Sequence, residues 1–182
     1  MGEMKTAWDI AQAKAAKLGR LSAEEQRQQE EKESRQIGTA IAQRYLSHWD
    51  PEGMQTELSR YSTEEKPMIT RTVVSELAET IDLRSQSVFD RVAKGILCLK
   101  PEAEGTIEQV RELSREYGQA ESKTRQEIEA RVKEMLHQLR ISGSAIGGIN
   151  VEANQEWQQS LQELARPFQE RLDELKSELC RA

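Results

Sequence analysis

Histidine and cysteine are scarce in this chain, two of each. Cys98 and Cys180 lie far apart and show no metal-ligand spacing, which points to reduced thiols and a cytoplasmic setting. No H-E-x-x-H, C-x-x-C or G-x-S-x-G occurs, so no zinc motif or elbow-held serine is present. The protein is therefore expected to be non-enzymatic and to need no cofactor. No apolar run approaches the ~20 residues that span a bilayer. The opening also lacks the apolar stretch of a secretory signal, so no membrane role is expected. A basic excess is missing too: the net charge is −6 and the pI about 5.2, which disfavours a general nucleic-acid binder. Only the first twenty residues run the other way, where Lys5, Lys14, Lys17 and Arg20 outnumber Glu3 and Asp9.

Strand signals are equally absent. No segment alternates apolar and polar residues, and no Asn-Gly or Asp-Gly joins strand-like runs. What the chain does have is charge, 32% of residues, with a mean hydropathy of −0.77, and helical periodicity. Ile107, Val110, Leu113, Tyr117, Ala120, Thr124, Ile128, Val132, Met135 and Leu139 recur at steps of three and four. A second stripe repeats the pattern in Trp157, Leu161, Leu164, Phe168, Leu172, Leu175 and Leu179. Narrow stripes on long helices suit a coiled-coil-like seam. The fold class is all-α: a cluster of short helices packed on a long antiparallel helical hairpin. The hairpin spans 106–182, with its reversal at 142–150. Pro167 removes one helical amide and predicts a kink or two abutting helices in the second arm, and Gly118 predicts a weak point in the first.

Ahead of the hairpin two further regions are expected, 1–36 and 37–105. Thr6 to Leu18 is a helix with Trp8, Ala11, Ala15 and Leu18 on one face, and Ser22 to Glu25 forms a capping box. From Ala23 to Gln36 no large apolar residue occurs; an exposed helix with pairs such as Glu31 and Arg35 is the favoured reading over a linker. Ile37, Ala40, Ile41, Tyr45, Leu46 and Trp49 restore an apolar face. Asp50-Pro51 then stops one helix and caps the next. Met54, Leu58 and Tyr61 mark a short helix, and Ile69, Val73, Leu77 and Ile81 another. Ser87 heads a second capping box before Phe89, Val92, Ala93, Ile96, Leu97 and Leu99, the most apolar helix and the expected best-buried element. Pro101 ends it, and Thr106 is expected to cap the first long arm.

Glu134 and His137 have the Glu-x-x-His spacing of carboxylate-bridged di-iron bundles, but those sites need a second such motif and two more glutamates. A metal or small-ligand bundle around this pair is thus the alternative reading. The Gly-rich reversal lacks the Lys-Ser/Thr pair of a P-loop, so its glycines serve the turn. Its apolar residues Ile146, Ile149 and Val151 are either folded back or a docking patch for a protein partner. The opening Trp8-Asp9-Ile10-Ala11, with Leu21-Ser22-Ala23-Glu24-Glu25, resembles short bacterial all-helical proteins of uncharacterised function. That resemblance covers about the first 25 residues and carries no activity. The leading functional reading is a self-associating interaction or scaffold protein that works through the hairpin or its tip. A nucleic-acid factor using the basic N-terminal helix comes third.

Overall fold

Six α-helices and one 3-10 turn make up the residues that the computed structural model describes, 23–139 and 155–181. No strand occurs among them, so the chain is all-α. The helix expected over Thr6 to Leu18, the Ser22 capping box and the reversal at 142–150 lie outside the described residues.

Helix α1 (Ala23–His48) runs unbroken across residue 36, where a regional boundary was expected. Glu, Gln, Lys and Arg are strong helix formers and need no apolar contact to continue a helix that is anchored further on. Spaced pairs such as Glu31 with Arg35 (3.8 Å) add a little. The helix stops at Trp49, whose φ of 56° is left-handed, and its amide donates to the Tyr45 carbonyl (2.6 Å). A tryptophan is costly in that conformation. It is held by an edge-to-face contact with Tyr45 (5.6 Å) and by the Arg91 guanidinium over its ring (5.4 Å).

Asp50 and Pro51 start α2 (Pro51–Leu58) as the sequence predicts. The Asp50 carboxylate accepts from the Gly53 amide at 3.0 Å, and proline occupies a position whose amide is free anyway. Before α3 (Lys66–Glu79), Ser62 and Glu65 bond each other's amides, at 3.3 and 3.1 Å, as a reciprocal capping box. The box expected at Ser87 is not formed. Helix α4 (Gln86–Leu99) begins earlier, because the Phe89 amide already bonds the Ser85 carbonyl at 2.9 Å. Thr106 does not cap either: a 3-10 turn (Pro101–Ala103) feeds straight into α5 (Glu104–Gln138), and the Thr106 hydroxyl bonds Glu178 instead (3.2 Å).

The core sits around α3, which packs on α1, α4 and α6 (Gln155–Cys180). Ile69, Val73, Leu77 and Ala78 on α3 have no exposed surface, so α3 rather than the more apolar α4 holds the centre. Each fully buried aliphatic side chain contributes ~1.5–3 kcal/mol. Helix α1 meets α3 along a row of small residues, Ser34, Gly38 and Ala42, all buried, whereas Ala40 is exposed. A Cβ on Gly38 would lie 2.6 Å from Thr72 Cβ, so only glycine permits this approach. Gly95 on α4 likewise leaves room for the Tyr45 ring, whose hydroxyl donates to the Arg91 carbonyl (2.6 Å).

Helices α5 and α6 run antiparallel. Arg131 pairs with Glu156 (2.6 Å), Arg171 with Glu116 (3.7 Å), and the Tyr117 and Phe168 rings meet edge to face at 5.4 Å. Lysines tie helix ends together: Lys176 donates to the Glu79 carbonyl (3.2 Å), and Lys100 to the carbonyls of Leu179 (3.2 Å) and Arg181. Pro167 does not split α6. Both Pro167 and Glu163, whose carbonyl loses its donor, are exposed, so water can take the place of the missing amide.

Candidate functional site

The two stripes of the hairpin meet different fates along their length. Near the core, Ile107, Val110, Leu113 and Tyr117 on α5 are buried, as are Leu172, Leu175 and Leu179 on α6. Here α6 also lies on α3, so the seam has a third layer. Ser114 donates to the Leu83 carbonyl (2.7 Å), and Arg84 donates to the Tyr117 hydroxyl (3.0 and 3.1 Å), closing the polar edge.

Farther out the seam narrows to a separate small cluster. Ile128 and Trp157 are buried, with Val132 and Leu161 half-buried beside them. Ion pairs flank it: Arg131 with Glu156, and Lys133 with Glu129 at 2.6 Å. The Lys133 ammonium beside Glu129 holds that carboxyl below its ordinary range. Exposed pairs of this kind stabilise weakly, and of these two Arg131 with Glu156 is the one that joins the arms. Beyond them, Met135 is 53% and Leu139 63% exposed, although both continue the stripe that is buried elsewhere. These are the large apolar side chains most exposed among the described residues.

Glu134 and His137 stand on this same end of α5, both exposed. Glu134 accepts from the Gln138 amide at 3.2 Å, and no group of three potential metal ligands occurs among the described residues. The helix thus brings the two together by spacing and adds no further ligand to them. Ile146, Ile149 and Val151, and the basic residues Lys5, Lys14, Lys17 and Arg20, lie outside the described residues. The two cysteines are free and half-buried. Burial, with the Glu52 carboxylate adding, pushes the Cys98 thiol up, so it stays protonated at neutral pH. Sequence reasoning named the stripe that holds Met135 and Leu139 but placed both in the seam; nothing in the periodicity marks where the opposing arm ceases to cover it.

Residues 55–181 match the model of a family described as a family of unknown function, DUF6657. The chain belongs to that family. No curated protein and no solved structure matches it. The DUF6657 stretch runs from within α2 to the end of α6, so it contains the whole described hairpin and omits the opening residues on which the resemblance to uncharacterised all-helical proteins rested. It also omits α1, although Ile41, Ala42 and Tyr45 of α1 belong to the same core. The folded unit is therefore larger than the DUF6657 match.

Proposed function

We propose that this protein is a non-enzymatic interaction protein that self-associates through the outer end of its hairpin. The observation that carries the reading is the exposure of Met135 and Leu139, at positions whose counterparts nearer the core are buried. Water-exposed apolar pairs at the end of a seam favour a partner surface. A second copy of the chain fits best. A two-fold contact needs no surface beyond this one, since Met135 and Leu139 of each copy can cover those of the other. The half-buried Val132 and Leu161 of the small outer cluster would gain cover in the same contact. Ile146, Ile149 and Val151, which follow in the sequence, are the further candidates for contact with a copy or with another protein. A cytoplasmic location accompanies this reading, supported by the two free thiols and by the lack, among the described residues, of any helix long and apolar enough to cross a membrane.

Sedimentation across a concentration series tests it. The intact chain should run heavier than its 20.8 kDa monomer as concentration rises, and Met135→Ser with Leu139→Ser should return it to the monomer without changing its helix content. An intact chain that stays monomeric throughout, or a double variant that associates as before, would refute the reading.

A further inference from the structure

At the end of the bundle away from the exposed Met135 and Leu139, helices α3, α4 and α6 leave a cleft of about 380 Å³. One wall is a single face of α3 and the turn before it, where Lys66, Pro67, Thr70, Arg71 and Val74 recur at helical spacing. Leu99 and Leu179 form the other wall. Its base is apolar, with Val74 and Leu179 buried, and its rim carries the exposed cations Lys66 and Arg71. Neither cation has an ion-pair or side-chain hydrogen-bond partner among the described residues. Lys100 also borders the cleft, but its ammonium is directed at the carbonyls of Leu179 and Arg181 and so fixes the wall. Glu102 is the acid on the lining.

We propose that this cleft binds a small amphipathic carboxylate. An aliphatic body lies on Val74, Leu99 and Leu179, and the head group meets Lys66 and the Arg71 guanidinium, whose planar fork matches a carboxylate. An apolar cleft with a few placed polar groups is the usual form of a small-ligand site. The charge pattern selects the ligand's sign. In a chain of net charge −6, two cations that form no ion pair among the described residues stand at one apolar opening and outnumber its one acid, Glu102, which draws anions and repels cationic amphiphiles. This proposal is independent of self-association, because the cleft adjoins the Leu179 end of α6 while Met135 and Leu139 stand at the far end of α5.

Calorimetric titration of the full chain with decanoate, below its micelle-forming concentration, tests the idea, with decyltrimethylammonium as the same tail bearing the opposite charge. Decanoate should bind saturably and at least about tenfold more tightly than the cation. The pair Lys66→Gln and Arg71→Gln should erase that preference while leaving the thermal melt unchanged. Amide shifts at Thr70 and Leu99 on adding decanoate should place the contact. Equal binding of the two amphiphiles, no saturable decanoate binding, a preference that survives in the double variant, or shifts confined elsewhere would each overturn the proposal.

Discussion

The inner and outer halves of the hairpin obey the same periodicity but different physics. In the inner half, Val110 and Leu113 find α6 opposite and the α3–α4 layer alongside, and they lose nearly all contact with water. In the outer half, among the described residues, two helices face only each other. Ile128 and Trp157 close over one another, while Met135 and Leu139, in register with the same stripe, remain wet. A stripe thus specifies where a helix can be buried; a neighbouring layer decides whether it is. The contrast also underlies the proposed self-association, in which a second copy adds the layer that the outer half lacks among the described residues.

Truncating the α3 core on which the inner half rests should have the largest effect. Leu77→Ala removes a side chain with no exposed surface and should cost ~2–5 kcal/mol in urea unfolding, whereas Met135→Ala should stay within about 0.5 kcal/mol for the monomer. Similar losses at both sites would erase the distinction. Next comes Gly38→Ala, where the new methyl would meet Thr72 at the α1–α3 contact; overpacking of this kind costs ~1–3 kcal/mol. The same substitution at Gly118, where the inner half gives way to the outer and nothing lies within 4 Å, should instead stabilise by ~0.5–1 kcal/mol through helix propensity. Opposite signs at two glycines sharpen the comparison; equal signs break it.

Much of this was legible beforehand, for identifiable reasons. The two stripes and the Asp50-Pro51 junction are local signals with strong stereochemical causes, and they appear where expected. Continuity of α1 across residue 36 was harder to read, because a helix without apolar residues is held up by its anchored neighbour rather than by its own side chains. The Ser34, Gly38 and Ala42 row escaped notice since small residues bury little area; their regular spacing of four was the available clue. Ser87 and Thr106 looked like caps, yet helices already begun from Ser85 and from the Pro101 turn left them no free amides to satisfy. Exposure of Met135 and Leu139 depends on how far the opposing arm reaches, which no pattern within α5 records.

The smallest effect belongs to alkaline pH. Tyr45 on α1, raised by burial and then by Cys98, and Cys98 on α4, raised by burial and then by Glu52, have pKa values above their ordinary ones and lie outside the hairpin. Their neutral forms favour the fold, so stability is complete below the ordinary thiol value of ~8.5 and falls as pH rises through that range and the tyrosine range above it. Unfolding midpoints followed up the pH scale should fall less in Cys98→Ala than in the intact chain; an unchanged slope would remove Cys98 from the account.

Amide hydrogen exchange, followed at low and high protein concentration, probes the α3 core and the outer half of the hairpin at once. In dilute solution residues 128–138 should exchange much faster than residues 69–77, and concentrating the protein should slow the outer segment selectively as a second copy covers Met135 and Leu139. Equal protection of the two segments in dilute solution, or an outer half indifferent to concentration, would contradict the account.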